Sequence, residues 1–429
     1  MTEKANLVIP GWPLLLLRPP FIRPHFIRPP YLRPPYTNRR RPKMVAATPL
    51  PEFDSSSPVD LNSQPFHDHK YAWYAWMREE APVCTGKISI MKVTLVSRYD
   101  DCKMVLSDPR FIRNRGTARG KGSSPMPFPL PKSIAALAKS MIIQDDPEHR
   151  RLRSLVNKGF SPRAVAALTD RVAGLADEML DGLSQKQGPI DLLSDYARPI
   201  PMRVIADMVG VSRGEAQQFA SMMGTLTQGL TGLKMIRTLF WDLRRAQRFV
   251  RDLIARKRAQ PGDDILSELI AAEEEGQRLT EDELVAMVFL LVIAGFETTL
   301  HLITNGARTL IEHPDQLERL RADPELWGSA VEEIVRYRGP IHGTKLQYAA
   351  EDVTLHGETI SRGSPVMPVL GAANHDPRAF EKPEEFDIAR SPNHHLGFGF
   401  GPHFCLGRQL ALMETRVALE KIFARNPDL

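Results

Sequence analysis

Thirteen consecutive residues without a charge, Leu284–Phe296, lie inside a longer run of helical periodicity. Thr280-Glu281-Asp282-Glu283, just upstream, has the form of a capping box. In that motif a threonine hydroxyl and a glutamate three residues on satisfy each other's backbone N–H groups. Thr280 is therefore the expected N-cap of a helix that runs to about Glu312, ahead of His313-Pro314, where proline ends helical geometry. A helix that is apolar all round must be covered on every side. Its uncharged stretch is shorter than the ~20 residues a bilayer span needs, so the cover is protein. A chain of 429 residues is long enough to supply it.

The surrounding sequence is mostly helical. Lys87–Val96 is rich in β-formers and reads as a strand, and Tyr99–Leu106 as a short helix closed by Asp108-Pro109. Gly116–Pro131 reads as a Gly/Ser/Pro-rich loop. Helices are expected over Pro147–Gly159, Pro162–Ser184, Pro201–Val209, Arg213–Leu230, Ile236–Arg258 and Pro324–Arg338. Short strands follow around Val353–Leu355 and Pro365–Leu370, and a last helix over Arg408–Phe423. The fold class is mainly α with a smaller β-rich portion, without a second catalytic domain.

Residues 1–43 differ in kind. Arg-Pro pairs recur every five residues at Arg18, Arg23, Arg28 and Arg33, each with an aromatic shortly after. Proline removes donors and fixes φ, so a disordered or polyproline-like extension is expected, with Met44 opening the globular region. This extension holds +8 of charge against +5 for the whole chain, which leaves −3 on the remainder. A nucleic-acid surface is therefore not expected on the body. Leu14–Leu17 is too short to span a membrane. The three cysteines, Cys84, Cys102 and Cys405, have no metal-finger spacing and cannot all pair, which suits a reducing, cytoplasmic setting.

Cys405 stands in Phe398-Gly399-Phe400-Gly401-Pro402-His403-Phe404-Cys405-Leu406-Gly407, a glycine-rich turn ahead of the last helix. The positive end of that helix is expected to lower the thiol pKa and favour a thiolate. The glycines let a flat object approach the backbone, and a haem iron suits one thiolate beside a flat face. This ten-residue spacing resembles the haem-binding signature of the cytochrome P450 family. The resemblance covers about Phe53–Leu429, with further matches at Val96–Asp100, Asp108–Phe111 and Ala373–Pro377.

The resemblance implies roles for other residues. Ala294-Gly295-Phe296-Glu297-Thr298 is similar to the family's oxygen-activating groove. Ala294 and Gly295 would face the haem, Thr298 would hold dioxygen and a water, and Glu297 would relay protons. Read on their own, the same hydroxyls suit bonding back to the helix. Glu333 and Arg336, three apart on one helix face, resemble a structural pair completed by Arg390 that locks the cysteine loop. His149 and Arg153, four apart, and His403 would bind the haem propionates, with Phe398 and Gly407 part of the haem cradle. Gln347 stands where the family commonly places an arginine, and Lys345 is a substitute without a bidentate fork. Twenty-four residues follow Cys405, where the family usually continues with a β-hairpin over the substrate pocket. Residues 44–429 are accordingly read as a haem domain short at its C-terminus.

The implied function is a bacterial-type, soluble haem-thiolate monooxygenase. It would use haem b with Cys405 as axial ligand to insert one atom of O2 into a lipophilic small molecule. No flavin or nicotinamide fingerprint occurs, so electrons would come from a ferredoxin- or flavodoxin-type donor and its reductase. The alternative is a haem-binding protein with little or no turnover. Expected pocket walls are Arg113–Ile143, Met222–Leu233, Phe289–Ala294 and Ile341–Thr344.

Overall fold

A computed structural model describes residues 53–54, 56–120, 139–228, 241–274, 277–427 and 429. The extension 1–43 and residues 121–131 of the expected loop lie outside them. The helix expected from the uncharged stretch is Glu281–Glu312, about 48 Å long at 1.5 Å per residue. Its capping box is formed: Glu283 N–H donates to Thr280 Oγ1 at 3.3 Å, and Thr280 N–H to Glu283 Oε2 at 2.7 Å. Among the described residues it is the one helix long and apolar enough to cross a bilayer, yet 61% of its most apolar stretch is buried inside the protein.

Helices Pro199–Met208, Trp327–Arg338 and Arg408–Arg425 pack directly on this central helix. The last packs against Gly306, where a Cβ would lie 2.7 Å from Leu419 Cδ1. The main sheet among the described residues is six-stranded, in the order Val59–Asp60, Val83–Ile88, Met91–Val96, Pro365–Pro368, Gln347–Ala349, Phe111–Ile112, and Val353–Leu355 pairs separately with Glu358–Ile360.

Several expected boundaries change. Lys87–Val96 is not one strand: Val83–Ile88 and Met91–Val96 form a hairpin that turns at Ser89-Ile90. Ser89 takes φ +55° there and Ile90 is exposed, so an apolar residue marks the turn and hides it from periodicity. Gly116–Arg119 is not loop but belongs to a helix, Arg115–Arg119, capped by Asn114. Pro162–Ser184 breaks at Ala167-Leu168 into Pro162–Ala166 and Thr169–Gln185. The helix expected from Ile236 is described from Leu243 to Ala259, and a two-stranded pair, Glu273–Glu274 with Gln277–Arg278, interrupts the helical middle. The strand expected to end at Leu370 ends at Pro368, and Leu370–Ala373 is a helical turn.

Glu414 on the last helix is fully buried, its Oε1 has no hydrogen-bond partner, and burial pushes its carboxyl up to about 8. A carboxyl neutral in the fold and ionised in the unfolded chain costs stability as pH rises from its ordinary value near 4.5 to about 8. Glu414→Gln is expected to flatten that loss in pH-dependent melting. An unchanged profile would remove Glu414 as its source.

Candidate active site

Glu333 and Arg336 both lie on the buried face of Trp327–Arg338 and pair through two hydrogen bonds, 2.7 and 2.8 Å. Arg390 Nε donates to both Glu333 oxygens at 3.1 Å, and Asp387 N–H and Asn393 Nδ2 donate to the same carboxylate. The remaining Arg336 donors go to the carbonyls of Asn374, Pro383 and Glu385. Asn374 Oδ1 in turn accepts from Leu396 N–H at 2.7 Å, at the start of the cysteine loop. Thus the buried ion pair is tied to the loop through one asparagine.

The loop then folds back on itself. Cys405 N–H donates to the Phe398 carbonyl at 2.9 Å, and Gly399 and Gly401 take φ +76° and +70°. A side chain at Gly401 is excluded twice, since its Cβ would lie 2.5 Å from the Leu106 carbonyl oxygen. His395 accepts from Gly397 N–H on Nδ1, so its Nε2–H donates to Glu332, which also holds Arg408.

Cys405 opens on a cavity of about 290 Å³. The loop side is formed by Phe398, Gly399, His403, Cys405 and Gly407, and the central-helix side by Ala294, Gly295, Thr298 and Thr299. Ile142, Leu290, Leu291, Ile341 and Leu370 add apolar lining. Gly295 is small for two reasons: it borders the cavity, and its Cβ would lie 2.8 Å from Ile205 Cδ1 of the neighbouring helix.

The expected lowering of the Cys405 thiol pKa is corrected. Burial pushes it up, against the opposing Gly407 N–H and the charges of Arg153 and Arg408. The sulfur sits three residues before the helix begins, and desolvation outweighs the helix terminus. Coordination to a metal would supply what the helix does not, since a coordinated thiol is deprotonated outright.

Thr298 Oγ1 donates to the Ala294 carbonyl at 2.7 Å, and Thr299 Oγ1 to that of Gly295 at 2.9 Å. Both hydroxyls therefore bond back along the helix and leave lone pairs for the cavity. Glu297, half-buried, is not part of the lining.

His149, Arg153 and His403 meet at one end of the cavity, joined by Arg113 and Lys345. The His149 and His403 rings are 4.1 Å apart, and His149 Nδ1 lies 3.3 Å from Asp146. Burial lowers both rings, His403 to about 2, so neither is charged near neutrality. Burial also brings Lys345 down to about 7 and Arg113 to about 10. Gln347 is absent from the lining; its amide donates to the Val105 and Phe111 carbonyls.

Of the expected pocket walls, Arg113, Ser140–Ile143, Leu290–Leu291, Ile293–Ala294, Ile341 and Thr344 line the cavity. Phe289 and Met222 are buried in the core instead, and 121–138 and 229–233 lie outside the described residues. Sequence reasoning missed Ile205, Thr299 and the role of Arg113. The donor set fits haem b: one thiol beside a glycine-lined slot, and cations gathered at one end, where Arg113 Nε is buried without a partner.

A family model described as "Cytochrome P450" matches residues 68–425. Polyketide biosynthesis cytochrome P450 PksS of Bacillus subtilis is 35% identical over 368 residues, covering 85% of this chain and 90% of PksS. The solved PksS structure is similar with a TM-score of 0.78 at 34% identity, over 85% of this chain and 91% of that one. Vitamin D(3) 25-hydroxylase of Pseudonocardia autotrophica is 38% identical, over 86% of this chain and 89% of its own. 6-Deoxyerythronolide B hydroxylase of Saccharopolyspora erythraea is 37% identical, over 86% and 92%.

Proposed function

Since the chain belongs to the cytochrome P450 family, whose members bind haem b through a cysteine thiolate and act as oxidoreductases, we propose that the Cys405 thiolate would hold haem b in a monooxygenase that hydroxylates or epoxidises a lipophilic small molecule. The observation that carries this reading is the shared cavity: the Cys405 thiol and the Thr298 hydroxyl border one space that is otherwise mostly apolar. Bound there, haem supplies reductive activation of O2, favoured by an electron-rich thiolate.

The chain's own residues do the rest. The Glu333–Arg336–Asn374 chain of hydrogen bonds holds the loop that presents the sulfur. Arg153 and the neutral His149 and His403 would bind the haem propionates. Thr298, with its own proton committed to Ala294, would accept a hydrogen bond from the cavity side. Glu297, one residue away, brings protons inward from solvent. Leu290, Leu291, Ile341 and Leu370 exclude water and hold an apolar substrate. The names of the two hydroxylases above are compatible with a lipophilic substrate. A ferredoxin- or flavodoxin-type donor docks on the cysteine-loop face, where Phe404 is 38% exposed. Such a donor and the few, unpaired cysteines support a cytoplasmic setting.

The test is turnover with a surrogate redox pair under isotopically labelled O2. Product carrying one labelled oxygen atom is expected from some member of a lipophilic panel. Haem binding with no product from any of them would favour a binder without turnover. Thr298→Ala is expected to lower product formed per electron pair by about tenfold or more while reductant is still consumed. Unchanged coupling would take Thr298 out of proton delivery.

A further inference from the structure

Gln347 belongs to the strand Gln347–Ala349, which pairs antiparallel with Phe111–Ile112. The register sets Phe111 against Ala349 and Ile112 against Tyr348. One step further along the same ladder brings Arg113 across from Gln347, because directly opposed residues in an antiparallel pair run in opposite order. The two side chains have different fates. Gln347 turns to backbone carbonyls, while Arg113 lines the cavity.

Arg113 is placed there at a cost. The residue is 5% exposed, and burial lowers its pKa to about 10. Its Nη1 donates to the Lys345 carbonyl, but its Nε has no partner. A buried guanidinium with an unused donor is unfavourable unless an anion completes it. Among the described residues, Asp145 is the carboxylate that acts on both Arg113 and Lys345. Its oxygens already accept the backbone N–H groups of Arg113 and Asn114, at 2.6 and 2.9 Å.

The charges can be compared. Arg113, Arg153 and Lys345 gather at this end of the cavity, with His149 and His403 neutral. Lys345, lowered to about 7, is only part-charged near neutrality, so Arg113 and Arg153 are the lasting cations at this end, where the two propionates of haem b would lie. We propose that Arg113 is a propionate-binding residue of this chain, so that the guanidinium missing at Gln347 is supplied from the opposite strand.

This rests on the haem reading, and its test is chosen to be separable from it. Release of haem from the holoprotein to excess apomyoglobin reads propionate anchoring. The reduced, carbon-monoxide-bound spectrum reads the sulfur ligand. R113Q is expected to release haem about tenfold faster, the scale of one charge-assisted hydrogen bond, while the thiolate band stays in place. R113Q/Q347R is expected to return the rate to within about threefold of the parent, because it moves the guanidinium across the ladder. R113K, which keeps the charge and a donor for the Lys345 carbonyl but loses the fork, is expected to fall between, and it decides the matter if R113Q does not accumulate. A parental release rate in R113Q or R113K overturns the proposal. So does failure of Q347R to rescue, which would assign Arg113 to holding the Lys345 backbone alone. Loss of the thiolate band from the parent protein would instead overturn the haem reading.

Discussion

Cys405→Ala is expected to abolish the thiolate-type Soret band of the reduced, carbon-monoxide-bound protein and to lower turnover by more than about a hundredfold, beyond what loss of a ligand's outer partner costs. No other thiol can take over. Cys102 is buried, donates to the Val96 carbonyl at 3.1 Å and is not part of the cavity lining; nor is Cys84. The local electrostatics make the loss more informative. Burial pushes the Cys405 thiol up, so the protein alone does not hold the sulfur as an anion near neutral pH. A thiolate signal in the parent is therefore a signal of iron bound to that sulfur. Substitution removes the ligand without disturbing the Glu333–Arg336 core that positions the loop, so the variant is expected to fold. An unchanged iron spectrum with unchanged products would end the reading of this cavity as a haem-thiolate site.

The sequence was most legible where local chemistry decides structure. The central helix starts after Thr280 and ends at Glu312 as expected, because a capping box and a following His-Pro act within one turn. The cysteine loop was legible for a similar reason: two of its glycines take positive φ, and one faces a backbone carbonyl. The hairpin turn at Ser89-Ile90 was not, since an exposed isoleucine is indistinguishable from strand residues around it. The Cys405 pKa was misjudged because a helix terminus is visible in sequence while the depth of burial is not. Arg113 escaped because Gln347 lies more than two hundred residues away, and only the pairing of the adjoining Ile112 with Tyr348 brings the two segments together. Non-local pairing also explains why Gln347 looked like a defect: its replacement is on another segment.

Glu333→Ala is the change expected to damage the fold most. Its carboxylate is the meeting point of Arg336, Arg390, Asn393 Nδ2 and the Asp387 N–H, with Glu333 and Arg336 both inaccessible to solvent. Breaking a buried pair by removing one partner costs about 3–5 kcal/mol, because the remaining charge stays buried. Here two arginines are left, against a typical total stability of about 5–15 kcal/mol. Arg336→Ala is expected to be the milder change, as Glu333 keeps Arg390 and both neutral donors. Glu333→Gln keeps the shape and one acceptor and is expected to lie between the parent and Glu333→Ala. The damage should be transmitted to the metal side, since Arg336 holds Asn374 and Asn374 holds Leu396 at the head of the cysteine loop. Thermal melting and the haem-to-protein ratio of purified protein measure the two effects together. A Glu333→Ala protein that melts with the parent and carries full haem would show that the buried pair holds neither the fold nor the loop.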